Sequence, residues 1–171
     1  MSENAAENRK ELREAVLAKL TEMGIAFEMD EHEPVYTIEE MDALGITAKG
    51  LVAKNLFLRD AKGKRHFLVL LPGEKHADVK KIEAQAGSTH LSFASDERLM
   101  KYLGLTKGAV TPFGLLNDEN QAVEVLLDQG LRGKPRIGFH PNENTATLWV
   151  SYDDLMKFLK ERGNKVKFVN L

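Results

Sequence analysis

Two short segments combine residue types that could hold a ligand. The first has the sequence GAVTPFG and runs from Gly108 to Gly114. Its terminal glycines permit close approach of the backbone to another molecule, while Pro112 fixes one backbone angle and removes one amide donor. A loop of this kind can present N–H and C=O groups to a ligand. The same composition is also typical of a tight turn between a helix and a strand, so both interpretations stay open here.

The second segment, FHPNENT, spans residues 139–145 and places a histidine at the end of a predicted strand. His140 could direct its imidazole into a pocket at the end of the sheet. An asparagine-rich hairpin turn is also common without any functional role. The segment is therefore a candidate site with an ordinary structural alternative.

Motifs of several common enzyme classes are absent from the sequence. It contains no G-x-S-x-G elbow, no G-x-x-x-x-G-K-[ST] phosphate loop and no G-x-G-x-x-G dinucleotide turn. The absence of cysteine excludes disulfides, thiolate ligands and a cysteine nucleophile. No histidines have H-E-x-x-H spacing, and His76 with Asp78 is the nearest approach to a paired-ligand motif. The sequence therefore predicts neither a metal site nor a cofactor.

The charge pattern permits a nucleic-acid surface without requiring one. The formal net charge is −2, whereas proteins that bind nucleic acid without specificity usually carry a basic excess. Between residues 49 and 65, however, six basic residues accompany a single acid, Asp60. Such a run can form a polyanion-binding face or a lysine-rich strand edge that resists aggregation. The basic residues are Lys49, Lys54, Arg59, Lys62, Lys64 and Arg65.

The elements that must position these residues are predicted from periodicity and capping signals. Helices are expected at residues 8–23, from Thr37 to near Gly45, and at 78–87, 95–104 and 151–162. Strands are expected at 25–30, 55–60, 65–71, 91–94, 122–127, 135–140 and 145–150, with a last one in KVKFVNL. This order, with adjacent strands joined by hairpins, predicts an α+β fold with a mixed, mostly antiparallel sheet and helices packed on it.

Length and composition are typical of one globular domain over residues 1–171, with 43% hydrophobic and 29% charged residues. The polar N-terminus lacks the apolar region of a signal peptide. No apolar run approaches the roughly 20 residues that a membrane span requires. A cytoplasmic location without membrane association is therefore the expectation.

Four segments together resemble one known family. AKNLFLRD (53–60), LSFAS (91–95), GAVTPFGLLND (108–118) and GFHPNENTATL (138–148) occur in the order and spacing of the YbaK/prolyl-tRNA-synthetase-associated superfamily. Within it the chain is most similar to the freestanding alanyl-tRNA(Pro) deacylases of the PrdX or ProXp-ala type. The resemblance implies an enzyme that hydrolyses mischarged alanyl-tRNA(Pro), with the terminal 2′-hydroxyl of the tRNA assisting the attacking water. Its partners would be tRNA(Pro) and, as a further candidate, prolyl-tRNA synthetase.

The resemblance also assigns roles to particular residues. Lys54 would hold the 3′ end of the tRNA or the ester carbonyl, and His140 would line the amino-acid pocket. Gly108 and its loop would position the aminoacyl group. The remaining substrate-binding candidates are Asn55, Ala109, Val110, Thr111, Pro112, Phe113 and Asn144.

Two further positions correspond to acceptor-stem contacts in the family. Arg59 keeps the positive charge, whereas His90 is mostly neutral at pH 7. Two alternatives stay open. The chain could deacylate another misacylated tRNA, such as one carrying cysteine or serine, or it could be a tRNA-binding module without catalysis.

Overall fold

The computed structural model describes residues 3–171, which contain five α-helices and eight β-strands. The helices are α1 (Glu3–Glu22), α2 (Ile38–Ala43), α3 (Val79–Ala86), α4 (Asp96–Leu103) and α5 (Tyr152–Arg162). The strands are β1 (Glu28–Glu31), β2 (Leu51–Arg59), β3 (His66–Pro72), β4 (Ser92–Phe93), β5 (Val123–Asp128), β6 (Ile137–Phe139), β7 (Ala146–Val150) and β8 (Val166–Val169). Among the described residues, no helix is both long enough and apolar enough to cross a membrane.

Side-chain caps fix the helix ends where the sequence predicts them. Thr37 Oγ1 accepts a hydrogen bond of 3.1 Å from the backbone N–H of Glu40 at the start of α2. Ser95 and Ser151 cap α4 and α5 in the same way, which satisfies amide groups that lack a partner within the helix. Gly104 ends α4 with a φ of 65°, a left-handed conformation that glycine adopts without strain. The capping predictions for these helices are confirmed.

All eight strands form one mixed sheet. Its strand order is β1-β7-β6-β2-β3-β5-β8, and β4 pairs with the C-terminal end of β2, at Leu58 and Arg59. Four pairings are antiparallel, namely β1 with β7, β2 with β3, β2 with β4 and β6 with β7. The other three, β2 with β6, β3 with β5 and β5 with β8, are parallel. The predicted α+β fold with a mixed, mostly antiparallel sheet is confirmed, although antiparallel strand pairings outnumber parallel ones by only one.

Strand β2 lies in the middle of the sheet and contributes to two apolar clusters. Ala53 and Phe57 belong to the larger cluster, which α1, α4 and α5 cover. Leu58 belongs to the smaller cluster on the other face, under α3. Because side chains alternate along a strand, Lys54 and Asn55, in the middle of β2, start out towards opposite faces of the sheet. Apolar side chains cover both faces of the sheet, and Lys54 and Asn55 interrupt this apolar covering in the middle of β2.

Several predicted bounds differ from the structure. Helix α1 begins at Glu3 rather than residue 8, and β2 begins at Leu51 rather than residue 55, so Lys54 lies within the strand. The strand predicted from residue 25 begins only at Glu28, because Ile25 is buried in the core and its N–H bonds the Leu20 carbonyl at the end of α1. The segment between Gly104 and Asn120 forms two 3-10 helices, at Lys107–Ala109 and Pro112–Asn117. These short helices hold the glycine-rich segment against the sheet, so it is an ordered, packed part of the fold.

Candidate functional site

An open pocket of about 860 Å³ lies between the start of β2 and the elements around it. The segment leading into α2, the turn after β3, residues 107–110 and the end of β6 form its sides. The pocket brings together five of the predicted catalytic and substrate-binding residues. These residues are Lys54, Asn55, Gly108, Val110 and His140.

Lys54 is the fourth residue of β2 and is half-buried in the pocket wall. Its Nζ donates a hydrogen bond of 2.7 Å to the backbone carbonyl of Lys75. The Lys75 side chain in turn forms an ion pair of 2.8 Å with Asp128, whose carboxylate is fully buried. An ammonium has three N–H donors, so two of those on Lys54 remain for a ligand. The site therefore holds a positioned cation.

Asn55 follows Lys54 and contributes a buried polar group. Its Nδ2 donates to the Ala53 carbonyl at 3.3 Å, while its Oδ1 is buried and bonds no group in the described part of the chain. A buried acceptor without a partner is costly, so such atoms in native structures commonly have a functional explanation. A ligand N–H group would satisfy this oxygen.

His140 follows β6 and is held in one orientation. Its Nδ1 lies 3.0 Å from the backbone carbonyl oxygen of Ala146. Because a carbonyl only accepts hydrogen bonds, Nδ1 carries the proton and Nε2 is left as an acceptor in the neutral ring. Burial lowers the pKa of His140 below its ordinary value of 6.5, and the neighbouring His32 ring acts in the same direction. The imidazole at the pocket is therefore neutral at pH 7.

The turn that follows His140 is fixed by two buried polar residues. Asn142 has a φ of 63° and its amide reaches the Phe113 carbonyl at 3.4 Å. The buried carboxylate of Glu143 accepts hydrogen bonds from Nε and Nη2 of Arg13 in α1, at 3.2 and 3.0 Å, and from the N–H of Thr145. The turn therefore connects the pocket to both the glycine-rich segment and the N-terminal helix. Sequence analysis missed Arg13 and Glu143, because a glutamate in a polar turn carries no sign of burial.

Only part of the predicted glycine-rich loop reaches the pocket. A β-carbon on Gly108 would lie 2.6 Å from the Tyr36 ring and 2.9 Å from the Asn144 amide nitrogen. Glycine at this position therefore lets Tyr36 and Asn144 approach the loop backbone. Val110 forms the adjoining part of the pocket wall.

The other predicted residues of this segment support the wall from behind. Ala109, Thr111 and Pro112 are buried, and Thr111 caps the second 3-10 helix. Phe113 packs edge-on against Phe139 and Phe158, with ring centroids 6.0 and 5.2 Å away. The structure does not place these four side chains in the pocket with Lys54. Their role in this geometry is to stiffen the segment that carries Gly108 and Val110.

Arg59 and His90 lie at the other end of β2. Arg59 is five residues beyond Lys54, which at strand spacing is about 16 Å. Its Nε bonds the Asp60 carbonyl at 3.1 Å, and His90 lies 3.1 Å from the Glu83 carboxylate. The N–H of Ala61 bonds Thr89 Oγ1, which joins the two segments. These two candidates are neighbours of each other but not of the pocket.

The basic run from residue 49 to 65 is only partly free to bind an anion. Lys49 pairs with Asp30 at 2.6 Å, and Arg65 pairs with Glu124 at 2.9 Å. Pairing compensates the charge of these two side chains within the protein itself. Within residues 3–171 Arg59 bonds only the backbone carbonyls of Asp60 and Ala61, so no described carboxylate compensates its positive charge.

No group of three or more potential metal-ligating side chains is found within residues 3–171. His76 and Asp78 are the nearest approach to a ligand pair in the sequence, and His76 lies on the lining of the pocket. Asp78 caps α3, where its carboxylate accepts from the backbone N–H groups of Lys80 and Lys81.

Comparison with known proteins shows the family of the chain. Residues 32–158 match the family model of the Aminoacyl-tRNA editing domain. Over 159 residues the chain is 51% identical to the prolyl-tRNA editing protein ProX of Acetoanaerobium sticklandii, which covers 93% of this chain and 97% of that relative. It is 33% identical over 164 residues to prolyl-tRNA synthetase associated domain-containing protein 1 of Bos taurus, with coverage of 94% and 95%.

A solved structure shares the fold. The crystal structure of a candidate trans-editing enzyme for prolyl-tRNA synthetase matches with a TM-score of 0.67 and 22% identity, over 94% of this chain and 97% of that one. Together, the sequence and family matches define an editing enzyme that acts on aminoacyl-tRNA. The chain belongs to the aminoacyl-tRNA editing domain family. The resemblance drawn from the four sequence segments is confirmed, as is the expectation of a deacylase.

Proposed function

We propose that this protein removes alanine from mischarged alanyl-tRNA(Pro) by hydrolysing the ester at the 3′ end of the tRNA. The observation that carries the proposal is that Lys54 and Asn55, which are adjacent on β2, share one pocket with His140, which lies far from them in the sequence. The relative at 51% identity, a prolyl-tRNA editing protein, supports the choice of tRNA.

The groups in the pocket suit ester hydrolysis. In the proposed complex the ester carbonyl lies at the Lys54 ammonium, which stabilises the negative charge that develops on its oxygen. The α-ammonium of the amino acid donates to Asn55 Oδ1, the buried acceptor that lacks a partner among the described residues. Water adds to the carbonyl carbon, the bond to the 3′ oxygen breaks, and the proton lost by the water reaches that oxygen through the terminal 2′-hydroxyl. The products are alanine and tRNA with a free 3′-hydroxyl group.

Selectivity for alanine must be steric. Proline has more apolar surface than alanine, so binding energy alone would favour proline. A synthetic site shaped for proline rejects a smaller amino acid by only about 1–3 kcal/mol, which is why a second site is needed. Val110 and His140 are the proposed walls of that second site. The buried residues behind Val110 and the Glu143 network behind His140 give these walls the stiffness that exclusion requires.

A deacylation panel tests this function. Purified protein is incubated with alanyl-, prolyl-, cysteinyl- and seryl-tRNA(Pro), and the expected result is fast hydrolysis of the alanyl ester alone. Preference for the cysteinyl or seryl ester would replace the proposed substrate, and binding without hydrolysis would identify a module without catalysis. An alanyl-tRNA ending in 2′-deoxyadenosine tests the hydroxyl separately, and its hydrolysis at the normal rate would remove the 2′-hydroxyl from the mechanism.

The proposed partners are tRNA(Pro) and prolyl-tRNA synthetase. An enzyme that edits the synthetase's product after release would have to intercept it before it enters translation. Co-purification of the two proteins with and without tRNA(Pro) tests whether the synthetase is bound directly.

A further inference from the structure

The pocket contains an exposed aromatic side chain that the proposed chemistry does not use. Tyr36 lies on the pocket lining together with Lys54 and His140, and 71% of its surface is accessible. Among residues 3–171, no group forms a hydrogen bond with the Tyr36 hydroxyl, so hydrogen bonding does not explain where the ring lies. A single exposed aromatic ring is common on protein surfaces, but this ring lies on the lining of the pocket, where a bound substrate would contact it.

The backbone around Tyr36 is fixed on both sides. Val35 is buried in a small apolar cluster with Met41, Ile46 and Trp149. Thr37 on the other side caps α2. The ring edge rests against Gly108, where a β-carbon would come within 2.6 Å of Cε1. Tyr36 therefore stands on an anchored stretch of backbone with one ring edge at Gly108, and most of its remaining surface is open at the pocket mouth.

We infer that Tyr36 stacks on the base of the 3′-terminal adenosine of the substrate, an inference that rests on the proposed function. If the ester carbonyl lies at Lys54 and the amino acid between Val110 and His140, the nucleoside that carries the ester must lie at the mouth of the pocket. Aromatic side chains bind unpaired bases by stacking, which tolerates any base because every base has a π-face. Tyr36 is thus a positioning residue that directs the ester towards Lys54.

Another exposed aromatic residue fits this role less well. Phe93 is 64% accessible, but it pairs with Leu58, four residues beyond Lys54 along β2. At strand spacing this is about 13 Å from the lysine, too far for the base of the nucleotide whose own ribose carries the ester.

The test uses an alanylated acceptor-stem RNA in two forms, one intact and one whose terminal nucleotide keeps its ribose but lacks its base. On the intact RNA, Tyr36→Ala should reduce kcat/KM roughly 5- to 150-fold, the range that corresponds to one base stacked on an aromatic ring. Tyr36→Phe should retain activity. Phe168→Ala, which removes an exposed ring on β8 away from the pocket, serves as the matched control.

The two forms of RNA separate stacking from other roles of the ring. Removing the base should lower the kcat/KM of the wild type by the same factor as Tyr36→Ala lowers it on intact RNA. In the Tyr36→Ala variant, removing the base should cause no further loss. Full activity of Tyr36→Ala on intact RNA would overturn the inference. So would a combined loss equal to the product of the loss from the substitution and the loss from removing the base. If the wild type leaves the alanyl ester intact, the proposed function fails instead. In that case, the affinities of both proteins are measured for the uncharged RNAs with and without the terminal base. Equal affinities of the wild type and Tyr36→Ala for the RNA that carries the base would refute stacking.

Discussion

The Lys54 ammonium donates a 2.7 Å hydrogen bond to the backbone carbonyl of Lys75. This bond joins the cation on β2 to the turn after β3, and the turn is itself tied down by the ion pair between Lys75 and the fully buried Asp128. Asp128 also accepts from the N–H groups of Gly130 and Leu171. A carboxylate with no direct contact to the pocket thus helps to position the group proposed to bind the ester carbonyl.

Asp128→Asn should therefore lower both stability and activity. Removing the negative charge weakens the hold on Lys75, so we expect a lower melting temperature and about a tenfold loss in kcat, with little change in KM. Asp118→Asn is the matched control, since Asp118 is also buried and accepts from backbone N–H groups, at the start of β5. That variant should lose stability while its folded fraction keeps full activity. Equal kinetic losses in the two variants would argue against a positioning role for Asp128.

Substitutions at the ion pair between Arg13 and Glu143 can separate its effect on protein stability from its effect on the position of the turn after His140. Arg13→Met leaves the Glu143 carboxylate buried without its cation and should reduce the free energy of unfolding by about 3 kcal/mol. The double variant Arg13→Met with Glu143→Leu should recover much of that stability, because apolar residues can replace a buried ion pair. Its discrimination between alanyl and prolyl esters should nevertheless stay impaired, since the turn after His140 has lost its polar anchor. Full recovery of discrimination would contradict this account.

The lowered pKa of His140 predicts how activity depends on pH. The ring is neutral at pH 7, and the activity should fall only as the pH drops through a value below 6.5, when Nε2 gains a proton. The unfolded chain has the ordinary pKa and binds that proton first, so stability should also decline as the pH falls below 6.5. The measurement is kcat/KM and the free energy of unfolding between pH 5 and 8.

His66 provides the control for this experiment. It is buried beside Arg98, and burial lowers its pKa in the same direction. His66→Asn should flatten the acid decline in stability without shifting the acid limb of the rate profile. His140→Asn should remove that limb from whatever activity remains. An acid limb that survives in His140→Asn would mean that another group controls the rate.

The salt dependence of tRNA binding should depend on Arg59. Each phosphate contact releases counterions, so Arg59→Ala should weaken binding and reduce the slope of log affinity against log salt by roughly one contact. Arg65→Ala is the matched control, because Glu124 already compensates that charge. If both variants have the same slope as the wild type, the basic run is a solvated sheet edge.

Much of the fold could be predicted because its signals are local. Ser95 and Gly104 mark the ends of α4 in the sequence as they do in the structure. The contacts that complete the site are not local. Arg13 and Glu143 are 130 residues apart, and nothing in the turn around Glu143 indicates that its carboxylate is buried. Phe113 likewise stands in a segment without periodicity, so its position in the core depends on packing that no short pattern reports.

The central claim is tested most directly by single-turnover hydrolysis of alanyl-tRNA(Pro) with the wild type and Lys54→Ala. Loss of one group that stabilises a developing oxyanion should slow the wild-type reaction by about 10²–10³-fold, while the half-buried position of Lys54 predicts little change in melting temperature. Lys49→Ala, which removes a lysine paired with Asp30, should react like the wild type. A wild-type rate no faster than that in buffer, or a folded Lys54→Ala protein with undiminished activity, would contradict the account.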